Sequence, residues 1–221
     1  MNVLLAAILI HFLSQAAPAT TPAPAAAQIT FSFENAQLDP SSYTLTFRED
    51  GTGHYRSKPG PANSESVGPA PVDRDIKLTD PLLAGFFRVS RSHEFFAIAC
   101  QAPNSHIAFT GKKTVSYTGP DGHGECTYNW SRDAQLNQLA NDLGAVACTL
   151  EEGRRLAIQH QHSRLSLDAE LEALQDAVKD RRALELGNIA AELQSIADDE
   201  TVMNRARTRA RALLNGNASS H

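Results

Sequence analysis

Residues 95–130 read FFAIACQAPNSHIAFTGKKTVSYTGPDGHGECTYNW, and this stretch decides the fold. Lys113–Thr118 is rich in β-branched and aromatic residues and alternates in character, the pattern of a half-buried strand. Gly119-Pro120-Asp121-Gly122 comes next. Proline fixes φ and glycine permits positive φ, so the chain reverses there. Gly124–Trp130 is then the returning strand. Val115 and Tyr117 share one face of the hairpin, and Cys126, Tyr128 and Trp130 share one face of the partner strand. A lone hairpin is marginal in water, so this one requires further strands or a helix over its apolar face. Phe95–Cys100 is apolar and is expected to be a neighbouring strand.

On the amino-terminal side, Ile29–Phe33 and Tyr43–Arg48 alternate apolar and polar residues. Glu49-Asp50-Gly51-Thr52-Gly53 is a hairpin turn, because Asp-Gly tolerates positive φ, and His54–Arg56 begins the return. Pro59–Pro71 is a polar Gly/Pro/Ser/Asn-rich loop without periodicity. Arg74–Leu78 is a short strand. Asp80 and Pro81 open a helix, the aspartate as cap and the proline in the first turn. Leu82, Leu83, Phe86 and Phe87 fall on one face of that helix, which packs on the sheet.

On the carboxy-terminal side, Ser131 is expected to cap a helix that ends near Cys148. Its buried stripe is Leu136, Leu139, Ala140 and Leu143. Thr149-Leu150-Glu151-Glu152 has the form of a capping box and predicts a fresh helix from Leu150 towards His162. A strand over Arg155–His160 is the alternative. Leu167, Leu171, Leu174 and Val178 make the next helical stripe, and Leu186, Ile189, Leu193 and Ile196 another, with Gly187 bending or breaking the chain between them. Met203, Ala206, Ala210 and Leu213 make a last one. Strands come first and helices run together afterwards, so the class is α+β: a small antiparallel sheet with covering helices, followed by a C-terminal helical extension. The boundaries are 28–148 for the α+β domain, 149–215 for the extension and 216–221 for a disordered tail.

Residues 1–27 are expected to be a signal peptide and an Ala/Pro linker. Val3–Leu13 is nearly all apolar, too short to span a membrane but suited to a signal-peptide core. Ala17-Pro18-Ala19 and Ala25-Ala26-Ala27 both satisfy a small-x-small cleavage rule. Export places the chain where disulfides persist. Cys100 and Cys126, on strands expected to share a sheet, are predicted to pair and Cys148 to stay free in a helix. A Cys126–Cys148 pair and three free thiols are the competing states.

The formal net charge of −5 argues against nucleic acid, which asks for a basic footprint. The run Arg205, Arg207, Arg209 and Arg211 looks basic in isolation. On a helix its members flank the Met203–Leu213 stripe on both sides, where they pair with acids of a neighbouring helix. Binding of an anionic membrane surface is the weaker reading of the same run.

Eight histidines invite a metal site, but none has HExxH or CxxC spacing. His160 and His162 point to different sides of a helix, and to one side only on a strand. His93, Glu94, His106 and His123 lie near the central sheet and supply the alternative of a metal-dependent hydrolase. Glu151-Glu152 and Asp198-Asp199 sit at expected helix starts, where capping explains them. GxSxG, P-loop and GxGxxG patterns do not occur in the chain. Catalytic, metal and cofactor residues are therefore left unassigned. The expectation is an exported, non-enzymatic binding or structural module of the cell envelope or periplasm, with a protein or envelope partner.

Overall fold

The computed structural model describes residues 26–61, 70–103 and 107–218. Residues 1–25 of the expected signal peptide and linker over 1–27, the middle of the polar loop, His106 and the last three residues lie outside the described residues. The chain forms a six-stranded antiparallel sheet followed mostly by helices. The strands are β1 (Gln28–Glu34), β2 (Ser42–Arg48), β3 (Thr52–Lys58), β4 (Asp73–Lys77), β5 (Lys112–Gly119) and β6 (Gly122–Tyr128), in the order β4-β3-β2-β1-β5-β6. Helix α1 (Asp80–Ser92) joins β4 to the β5–β6 hairpin; α2 (Ala134–His162), α3 (Leu167–Lys179), α4 (Ala190–Asp198) and α5 (Asn204–Ala218) follow. The class is α+β with a C-terminal helical part, as expected.

Side chains alternate between the two faces of each strand, and the register sorts them into rows across the sheet. One inward row is Ile76, Gly53, Phe47, Ile29, Tyr117 and Gly124. The next is Arg74, Tyr55, Leu45, Phe31, Val115 and Cys126. The outward rows are polar; Asp73, Arg56, Thr44, Ser32, Thr114 and Thr127 form one, with hydroxyls of Ser32 and Thr44 3.2 Å apart and of Thr114 and Thr127 2.9 Å apart. This is why the strands alternate so legibly: one face is core and the other is wet.

Helix α1 lays Leu83, Phe86 and Phe87 on the inner face, where Phe47 meets Phe86 at 5.6 Å and Phe87 edge-on at 6.2 Å between ring centroids. Its N-cap is Thr79, not Asp80, and the Thr79 hydroxyl and N–H both donate to Glu185 instead of capping the helix. Helix α2 covers the rest of the inner face with Leu136, Leu139, Leu143 and Leu150.

Several local expectations fail. Phe95–Cys100 is not a strand. Glu94, Phe95 and Phe96 have φ of 51°, 57° and 69°, a left-handed turn. The run is apolar because it covers the inner face at the β5–β6 end of the sheet: Phe96 is fully buried, Phe95 lies 5.0 Å from the Tyr117 ring, and Ala97 N and Phe95 O crowd the inward side of Gly124. Apolarity without alternation reports burial, not conformation. Trp130 lies beyond the end of β6, where its carbonyl accepts from Ala102 N–H at 3.0 Å.

Ser131 does not cap α2. Asp133 does, accepting from Gln135 N–H at 2.8 Å and Leu136 N–H at 3.0 Å. No new helix starts at Leu150, and residues 155–160 are not a strand. Helix α2 runs unbroken through 29 residues, and the Thr149 hydroxyl donates back to the Ala145 carbonyl at 3.2 Å. The boundary drawn at 148/149 therefore falls inside a helix. Asp198 and Asp199 end α4 instead of starting a helix, and α5 continues to Ala218, past the expected tail boundary at 215.

The second core lies on the far half of α2. Leu156 meets Leu167, Leu171, Leu174, Ile189 and Leu193 there, and α5 adds Ala206, Ala210 and Leu213. Chain breakage near Gly187 is as expected: Leu186–Ile189 is a tight 3-10 turn before α4. This helical unit docks on the sheet edge. Asn188 accepts from Lys77 N–H at 2.7 Å and donates to its carbonyl at 2.9 Å, so one side chain takes the place of a neighbouring strand on β4. Arg74, pointing inward at that edge, donates to Glu192 and to the Asn188 carbonyl, each at 2.7 Å.

Candidate functional site

The sulfurs of Cys100 and Cys126 are at disulfide distance, 2.34 Å, with Cα atoms 6.0 Å apart; Cys148 is free. The bond fastens the 95–102 segment across β6 and fits an oxidising environment. Among the described residues no helix is long and apolar enough to cross a membrane.

Among the described residues the ligands of the alternative metal reading, His93, Glu94 and His123, do not converge. His93 Nε2 faces Asp133 at 2.8 Å, and its Nδ1 faces the Val89 carbonyl at 2.9 Å. Ser92 Oγ is 3.0 Å from the same Nδ1, which resembles a nucleophile and base, but that hydroxyl also donates to Val89 O at 3.0 Å. Ser92, His93 and Asp133 instead tie the end of α1 to the start of α2. Glu94 is exposed, and His123 lies on the outer sheet face. His160, on α2, bonds Asp199 at 2.8 Å, away from the exposed His162. Among the described residues no group of three metal-ligating side chains is close enough to hold an ion.

Glu151 and Glu152 sit in the middle of α2 with unlike neighbours. Glu151 accepts from the buried Tyr55 hydroxyl and from Arg154, each at 2.9 Å, pinning α2 to β3. Glu152 faces α3, beside Arg155, whose guanidinium serves both Glu152 and Glu170. Burial pushes the Glu152 carboxyl up to about 7, against the pull of Arg155 and with the help of Glu170. Its Oε2 is buried without a donor, which suits a carboxyl that keeps its proton. Burial also raises the Cys148 thiol above its ordinary range, the opposite of what an activated nucleophile needs.

Arg205 and Arg209 pair with Asp168 of α3 at 2.5 Å and 3.0 Å, and Arg209 also with Glu172 at 2.9 Å. Burial works against ionising Asp168, but the two arginines outweigh it and hold its carboxyl below the usual range. Arg207 and Arg211 both donate to the Ala197 carbonyl near the end of α4. Arg205 and Arg209 thus pair with acids of a neighbouring helix as expected, whereas Arg207 and Arg211 engage a backbone carbonyl instead.

What the sequence did not reveal is a groove of about 1010 Å³ between the two cores. One wall is α1 with the first half of α2; the other is the end of α3, the chain through Leu186 and the end of α5. Leu82 and Val89 of α1 face Val178, Leu184 and Leu213 across it. Gly85 lies between Leu82 and Val89, and a Cβ there would meet no atom within 4 Å, so α1 has a gap in its groove-facing stripe. Leu82, Val89, Val178 and Leu184 are only half-buried. Arg88, Lys179 and Arg181 stand on the rim with Asp142 and Glu185. The signal for the groove was the spacing Leu82-x-x-Gly85-x-x-x-Val89, but it merged with the sheet-facing Leu83, Phe86 and Phe87. No family model and no curated protein matches the chain.

Proposed function

We propose that this protein is an exported, non-enzymatic binding module that holds an amphipathic ligand in the groove between its two cores. The carrying observation is a groove of about 1010 Å³ with walls from both cores, on which Leu82, Val89, Val178 and Leu184 are left half-buried. Its volume is at the upper end of small-ligand sites, roughly 300–1,000 Å³. Export is supported by the disulfide and by the apolar leader-like segment with its small-residue sites. A periplasmic or secreted location follows from the same reading.

Titration with N-phenyl-1-naphthylamine, a neutral fluorescent probe, tests the groove. Saturable enhancement with one probe per chain is expected. Gly85→Phe fills open space on an exposed stretch of α1 and is expected to abolish binding without unfolding the protein. Absence of saturable binding to the wild type, or undiminished binding to a folded Gly85→Phe variant, overturns the proposal.

A further inference from the structure

We propose, resting on the groove reading above, that the groove's ligand is a long-chain carboxylate whose head is held by Arg88. The rim carries three cations and two acids, but most of these are committed. Glu185 accepts from the Thr79 hydroxyl at 2.7 Å and its N–H at 3.1 Å. Asp142 accepts from Gln138 at 2.9 Å and faces Arg181 at 3.8 Å. Lys179 is paired with Asp176 at 2.9 Å. One turn along α1, Arg91 is consumed by Glu49 and Asp121. Arg88 is exposed and has no ion-pair partner among the described residues.

The free guanidinium follows Leu82 by six residues on α1 and is next to Val89, and all three line the groove. It presents a planar fork that matches one carboxylate bidentately, and a single cation matches a singly charged head better than a phosphate dianion. The apolar stripe of α1 and the facing Val178, Leu184 and Leu213 give the chain of such a molecule its dry lining.

The test displaces N-phenyl-1-naphthylamine with dodecanoate, dodecanol and dodecylammonium, each below its micellar concentration. Dodecanoate is expected to compete about tenfold more tightly than dodecanol, one charge-assisted contact's worth. Arg88→Gln is expected to remove that preference while leaving dodecanol unchanged. Arg91→Gln, a change of the same charge on the same helix, is expected to keep it. Equal competition by dodecanol, a preference for dodecylammonium, or equal loss in Arg91→Gln overturns the head-group assignment while the groove reading stands. A concentration-dependent dimer that excludes the probe assigns the groove to a second copy and overturns it too. Failure of the probe to bind wild-type protein sinks both.

Discussion

Gly144 and Gly153 lie on the same helix, and substituting alanine at each has opposite expected outcomes. Alanine is favoured over glycine within a helix by about 1 kcal/mol. At Gly144 the added methyl meets the Tyr43 hydroxyl at 3.6 Å, an ordinary contact, so Gly144→Ala is expected to gain ~0.5–1 kcal/mol. At Gly153 it meets Ile189 Cγ2 at 2.4 Å, and a β-branched side chain in a filled core has no room to retreat. Overpacking of this kind costs about 1–3 kcal/mol, which outweighs the propensity gain, so Gly153→Ala is expected to be destabilising. Urea midpoints for the two variants check both signs. The disulfide is argued at the same scale. Cys100 and Cys126 are 26 residues apart, and closing such a loop is worth about 3.5 kcal/mol in the chain-entropy account. Reduction is expected to lower the unfolding free energy by up to that amount, with fraying of the 95–102 segment from β6 first. Protection of amides around Ala102 that is unchanged by reductant would contradict this.

Helix α2 is where local signals and tertiary structure part company. Thr149-Leu150-Glu151-Glu152 matches a capping box, yet Leu150 is anchored in the sheet core and Leu156 in the helical core, so continuing the helix buries both. The strands were legible because each has one wet face, which prints a period of two on Tyr43, Leu45 and Phe47. Phe95–Cys100 was not, since an irregular segment laid over the face of a sheet has no period. The groove was not legible either: Leu82 and Leu83 are neighbours in sequence, and their separation into half-buried and buried exists only once the helical unit stands beside α1. The Glu152 face of α2 makes a testable consequence. Its carboxyl is raised from 4.5 to about 7 in the folded protein. The folded chain thus binds a proton more tightly than the unfolded chain between those values. The stability tied to that proton is complete below the lower value and is lost as pH rises through about 7. Carboxyls held low, such as Asp168 and Asp199, act in the opposite sense, but their effect is complete well below neutrality. Between about pH 5 and about pH 8, unfolding free energy is expected to fall by ~1–3 kcal/mol from this group. Glu152→Gln is expected to flatten that slope in urea titrations, and an unchanged slope would refute the assignment.

At the scale of the molecule, the two cores share α2 and exchange partners across the β4 edge, so they are expected to unfold together. The sheet unit leans on residues beyond Cys148. Leu150 fills its core, Glu151 accepts the hydrogen bond of the buried Tyr55 hydroxyl, and Asn188 occupies the free edge of β4. Removing Leu150 from the core forgoes roughly 2 kcal/mol. An unpaired Tyr55 hydroxyl costs about 1–3 kcal/mol, and the two lost edge bonds at Lys77 about 1 kcal/mol each. Together these come to ~5–7 kcal/mol, against the ~5–15 kcal/mol that a protein has in total. A chain cut after Cys148 is therefore expected to be unfolded or loosely collapsed, although it keeps all of the strands and the disulfide. The intact protein is expected to show a single calorimetric transition with equal calorimetric and van't Hoff enthalpies. Two resolved transitions, or a cooperatively folding fragment of residues 26–148, would show that the helical unit is an appendage. The groove between the cores would then be a gap between independent bodies, and its geometry would no longer be fixed by the fold.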